Sequence, residues 1–126
     1  MLPLRFGKLW LLAGWLGVLG ATAASLTPST TPVPLILNDK VTHGFIYLVL
    51  MLWFAGIYKR QRYLLIAGGL FAMGVALEFL QAHVGRELSG FDVLANLTGI
   101  VIGLALAWRA LGGWCAKLED WLLAQT

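Results

Sequence analysis

Residues 69–81 read GLFAMGVALEFLQ, and they put one carboxyl group, Glu78, into a run that is otherwise apolar until Gln81. That run lies within a longer apolar stretch, Tyr63 to Val84, close to the ~20 residues a helix needs to cross ~30 Å of hydrocarbon. A charge near the centre of such a helix costs roughly 2.5–3.5 kcal/mol on insertion scales, so Glu78 needs a partner, a proton or water. Three further apolar stretches of similar length flank this one, and the four together predict helices over about 9–26, 41–58, 63–84 and 91–111.

Composition agrees with that reading. Of 126 residues, 60% are hydrophobic and 12% charged, and the mean hydropathy is +0.82, whereas soluble domains are roughly half apolar and a quarter charged. The expected fold is therefore all-α: one domain over residues 1–126, an integral bundle of four transmembrane helices. The net charge of +3 does not point to nucleic acid, because the nine Lys and Arg are scattered in small groups between apolar runs. Cys115 is the single cysteine, which excludes an intramolecular disulfide, and no Cys/His spacing suggests a metal site or any cofactor.

The connections set the topology. SLTPSTTPVPLILND, residues 25–39, carries Pro28, Pro32 and Pro34, which forbid a continuous helix; it reads as a surface linker with a re-entrant option at 35–37. KRQR, residues 59–62, is too short for anything but an antiparallel turn, and GRELSG, residues 85–90, is a short polar loop before Asp92 at the start of the fourth helix. Arg5, Lys8, Lys59, Arg60, Arg62, Arg109 and Lys117 fall on one side, against Lys40 and Arg86 on the other. The positive-inside rule then puts both termini in the cytoplasm of a multi-pass protein of the cytoplasmic (inner) membrane.

Trp10, Trp108, Trp114 and Trp121 fall at the same boundary, and WCAKLEDWLL, residues 114–123, is expected to lie along it as a short amphipathic helix. Arg5, Lys8, the first apolar run and ATAA at 21–24 also fit the outline of a cleavable signal. The reading favoured here is retention, with a helix reaching Leu26.

On this topology Asp39, Lys40, His43, Glu78, Gln81, Arg86, Asp92 and Asn96 all fall on the outer side. Asp39, His43 and Tyr47 are four apart and share a stripe; Glu78 and Gln81 are three apart; Asp92, Asn96, Gly99 and Gly103 recur at four, three and four. Three polar stripes in the outer third of a bilayer are expected to face one another, since lipid would not hold them. Gly99 and Gly103 form a small-xxx-small pair that brings the fourth helix close to a neighbour, and Gly68, Gly69 and Gly74 are candidates for the same role on the third.

NDKVTHGFIYLVL from Asn38 and ALEFLQAHVGRELSGFDVLANLTGIVIG from Ala76 resemble the VanZ-like membrane proteins, a family named for a protein linked to teicoplanin resistance. The resemblance covers residues 38 to about 104 and is carried by Asp39, Lys40, His43, Tyr47, Glu78, Gln81, Arg86, Asp92, Asn96, Gly99 and Gly103 in that order. Where that family often has an aromatic after the His, this chain has Gly44 and then Phe45. The resemblance implies a small multi-span protein of bacterial membranes without fixing a reaction.

Three functions are open at this level. The first is an outward pocket that binds a polar or anionic envelope component, a lipid-linked intermediate or a glycopeptide. In it Arg86 and Lys40 would meet anionic groups, and Gln81, Asn96 and Tyr47 would fix orientation. The second is a membrane-interface enzyme with Glu78 or His43 as acid or base and Asp92 or Asp39 as partner. The third, a proton or ion carrier, fits least, because the inner halves of the last three spans are nearly all apolar. A chain this small could also form homo-oligomers within the lipid bilayer.

Overall fold

A computed structural model describes residues 2–26, 39–83 and 90–125, with side chains over 2–23, 41–80 and 93–125. The proline-rich linker, including the re-entrant option at 35–37, and Arg86 lie outside the described residues. Five α-helices account for most of the chain: α1 (Gly7–Leu26), α2 (Asp39–Ile57), α3 (Tyr63–His83), α4 (Gly90–Leu106) and α5 (Trp114–Ala124). Among the described residues there is no strand. Arg60–Arg62 forms a single 3₁₀ turn ahead of α3, and α4 runs on into a π turn, Ala107–Leu111.

Two helical stretches are long and apolar enough to cross a membrane, Arg60–Leu80 and Val93–Leu111; Gly7–Ala23 and Val41–Ile57 are shorter apolar segments. Large apolar side chains also face outward. Leu9, Leu12, Leu16 and Leu19 on α1, Leu64 and Leu65 on α3, and Leu94 and Val101 on α4 are all exposed.

Side-chain meetings fix the helix directions. Gly14 of α1 lies against Trp53 and Phe54, and Gly17 against Leu50, so α1 and α2 run antiparallel. Residue 44 of α2 meets 95 and 99 of α4 while residue 51 meets 103, so these two helices run the same way. Between them, α3 runs in reverse, with Gly74 facing both Tyr47 and Asn96.

The α2–α4 seam depends on missing side chains. A methyl on Gly99 would be driven into the Gly44 carbonyl; one on Gly103 would come within 2.9 Å of Met51 Cβ, and one on Gly44 within 3.1 Å of the Ala95 carbonyl oxygen. Gly99 and Gly103 therefore pack against α2, Gly99 on Gly44 and Gly103 on Leu48 and Met51, and an aromatic residue at position 44 would have no room. Gly68 and Gly69 do not join in. Nothing lies within 4 Å of where their Cβ atoms would stand, because both sit on the outward side of α3, and only Gly74 of that set packs.

One end of the bundle gathers the start of α1, the end of α2, the start of α3, the end of α4 and all of α5. The Leu2 amide donates to Ile57 O at 2.9 Å, while the Gly113 amide and Tyr63 Oη each donate to Ala55 O at 3.1 Å. Gly113 has φ 71°, a left-handed conformation that favours glycine, and it turns the chain from the π turn into α5. All seven basic residues grouped by the sequence fall at this end.

The tail helix exists over nearly the expected residues but is anchored by its buried side. Cys115 is fully buried and Glu119 is 4% exposed, while Trp121 and Leu122 face out. The Glu119 carboxylate accepts from the Arg5 amide at 2.7 Å, the Phe6 amide at 3.1 Å and Trp10 Nε1 at 3.2 Å. It thus satisfies donors left open at the start of α1 and places negative charge at a positive helix end. Trp10, Trp53 and Trp114 meet as a triad of tilted and edge-to-face rings with centroids 5.2–5.7 Å apart. Of the four tryptophans expected at this boundary, Trp10 and Trp114 are inside that cluster, whereas Trp108 and Trp121 are exposed.

Candidate functional site

The opposite end of the bundle holds the polar residues singled out by spacing. Along α3, Leu70, Gly74, Leu77 and Glu78 are buried, a three-and-four recurrence that turns one face inward. Glu78 therefore sits on the inner face, one turn beyond Gly74, and is only 3% exposed. Along α4 the buried face is Asn96, Gly99, Ile100 and Gly103; along α2 it starts with Tyr47 and continues through Leu50, Met51 and Phe54. Asn96 and Tyr47 are each 3% exposed.

Gly74 is the point where these faces meet. A Cβ on it would stand 3.1 Å from Asn96 Nδ2 and 3.3 Å from Tyr47 Oη. A hydroxyl from α2 and an amide from α4 thus converge on a bare stretch of α3, with Glu78 one turn farther along the same face. The tight α2–α4 seam below is what brings residues 47 and 96 close enough to share one glycine.

The Asn96 side chain carries an open acceptor. Its Oδ1 is buried and accepts no hydrogen bond among the described residues. A buried acceptor without a donor costs ~1–3 kcal/mol, so Oδ1 is an acceptor available to a donor group entering the site. Glu78, by contrast, is itself partnered.

Of the expected site residues, Tyr47 and Asn96 are brought together at Gly74, Glu78 is buried one turn farther along α3, and His43 lies one turn beyond Tyr47, half-buried on α2. Asp39 and Lys40 form the first turn of α2 rather than preceding it, Gln81 lies in the last turn of α3 and Asp92 in the first turn of α4, at the same end of the bundle. The side chains of those four, and Arg86 entirely, lie outside what the structure describes. Among the described residues no group of three His, Cys, Asp or Glu could hold a metal ion.

Spacing missed two residues that matter. Gly44 stands alone on α2 with no small partner three or four residues away, so no sequence pattern marks it as half of a seam. Glu119 lies in a charged tail and reads as a surface residue; its only signal is the Trp-rich context of residues 114–121.

No family model matches this chain, and neither a curated protein nor a solved structure matches it.

Proposed function

We propose that the chain is a VanZ-like protein of the bacterial inner membrane with four spans and both termini in the cytoplasm, and that its outward pocket binds a polar cell-envelope component. The ligand class is a lipid-linked wall intermediate or a glycopeptide-type molecule. The observation that carries the reading is the meeting of buried Tyr47 and Asn96 at Gly74, with buried Glu78 one turn farther along the same face of α3 and Asn96 Oδ1 lacking a donor among the described residues. Exposed leucines along α1, α3 and α4 support lipid contact, and the seven basic residues at the other end support the orientation. The seating of Gly14 and Gly17 of α1 against α2 supports retention of the first helix.

A buried acceptor beside a phenol and an amide favours a ligand that donates N–H or O–H groups, as amide- and hydroxyl-rich wall precursors and glycopeptides do. The test compares teicoplanin susceptibility of cells expressing the wild type, Glu78→Gln and Asn96→Leu at matched membrane levels. Loss of protection in both variants, with normal protein levels, supports the pocket. Protection unchanged in both removes it, and turnover of a labelled lipid-linked substrate that is lost in Glu78→Gln would replace binding with catalysis.

Topology is checked with cysteines introduced at Ser29 and Asp120 in a Cys115→Ser background. An impermeant reagent should label position 29 in intact cells and position 120 only after lysis. Labelling of both, or the reverse pattern, would overturn the orientation.

A further inference from the structure

The basic end carries a second cavity that the outer-pocket function does not use. It is an open recess of about 330 Å³ between the α2–α3 turn, the π turn and the start of α5, and Lys59, Arg60, Arg109 and Lys117 line it together with Tyr58 and Tyr63. Two of these cations reach back to carbonyls of the turn itself. Arg60 Nη1 donates to Trp108 O at 3.2 Å, and Lys117 Nζ to Ala110 O at 3.5 Å. Those carbonyls end the α4 ladder, so the partial negative charge at a helix end draws two positive groups to the cavity wall. Each retains further N–H donors, because guanidinium has five and ammonium three.

Beside it runs an apolar groove of about 610 Å³ between α1, α2 and α3, walled by Trp15, Phe54, Leu65 and Met73, with Arg62 at the basic end. Tyr58 lines both spaces. A cavity rich in cations next to an apolar trough with a shared aromatic wall has the two-part chemistry of a phospholipid: an anionic head and a hydrocarbon tail.

We propose that this basic cavity is a binding site for the phosphate headgroup of an anionic phospholipid, with one acyl chain lying in the adjacent groove. The inference rests on the membrane reading given above, but not on the outer pocket. Topology signalling alone would need only net positive charge near the turn; four cations around one cavity, with Arg60 oriented by the Trp108 carbonyl, gather donors at one place as well.

The test is native mass spectrometry of the full chain released from nanodiscs that contain phosphatidylglycerol or phosphatidylcholine with matched acyl chains. The expected result is a retained phosphatidylglycerol adduct. It should be reduced roughly tenfold or more in Lys59→Ala/Arg109→Ala, since each juxtamembrane cation contributes about a factor of five toward an anionic surface. Lys59 and Arg109 are chosen because the bonds to the Trp108 and Ala110 carbonyls come from Arg60 and Lys117, and circular dichroism of the variant should match wild type. A second variant, Gly69→Leu, should weaken the adduct through the groove while leaving every cation in place.

Equal retention of both lipids, or wild-type retention in the double variant, would overturn the proposal. Displacement by soluble glycerol phosphate at equal concentration would reassign the site to a free phosphate ester and overturn the lipid. Failure of the chain to enter nanodiscs, remaining soluble without detergent, would instead refute the membrane reading.

Discussion

Replacing Gly99 by Ala should loosen the whole bundle, although alanine is the better helix former. A Cβ at position 99 would be driven into the Gly44 carbonyl, with the carbonyl carbon at 2.8 Å and the Gly44 Cα at 3.1 Å. The obstacle is backbone, which has no rotamer to vacate, so α2 and α4 must separate. Overpacking of this kind costs ~1–3 kcal/mol, and a rigid obstacle puts Gly99 near ~3 kcal/mol. Alanine returns ~1 kcal/mol of helix propensity, which leaves a net loss of about 2 kcal/mol.

Gly68→Ala is the matched control. It has nothing within 4 Å of its Cβ position, so it keeps only the propensity gain of ~0.5–1 kcal/mol. The same chemical change should thus destabilise at one helix and stabilise at the next. Thermal unfolding followed by circular dichroism in detergent should show Gly99→Ala lower by on the order of 5–10 °C and Gly68→Ala unchanged or higher. An unfolding midpoint for Gly99→Ala at or above wild type would refute the seam as described.

Three other outcomes follow from the geometry. Glu119→Ala should lower stability by several kcal/mol, at ~1.5–3 kcal/mol for each hydrogen bond to a charged group, and should unseat Trp10, read as a red shift in tryptophan emission; an unchanged spectrum would contradict the tether. Asn96→Leu should hold or raise stability by up to ~1–2 kcal/mol in the same melts, because it removes a buried acceptor without a described donor; a clear loss would show that Asn96 is structural. Burial first, and the Glu119 carboxylate second, push the Cys115 thiol from 9.0 up to about 12. Its folded value is raised, so the neutral thiol contributes stability in full below pH 9.0, and that contribution is lost as pH climbs through about 12. Alkylation by a thiolate-specific reagent should therefore be slow in the folded protein and fast after unfolding, and rapid native labelling would refute the burial.

Much of the framework is legible in the chain because lengths and breakers are local properties. Apolar runs bounded by Pro28 to Pro34 and by KRQR give the helix limits to within a few residues. Stripes are nearly as legible: three-and-four spacing turned Glu78 and Asn96 to the inside along with Gly99 and Gly103. Rotation about a helix axis is less so. Gly68 and Gly69 look as fit for packing as Gly74, and only the fold turns one inward and two outward. Least legible are meetings between distant segments. Nothing near Gly44 announces Gly99, and nothing in the charged tail announces that Glu119 caps a helix beginning at residue 7.

That last tether sets an order of assembly. The acceptor for the Arg5 amide comes 114 residues later, and the third ring of the tryptophan triad belongs to residue 114. During synthesis the amino-terminal helix can form, but the amides ahead of its first turn have no carboxylate to meet until the tail has left the ribosome. The nascent protein must therefore pass through a stage in which two indoles wait for a third, and a chain that stalls before Trp114 should be a ready substrate for proteases.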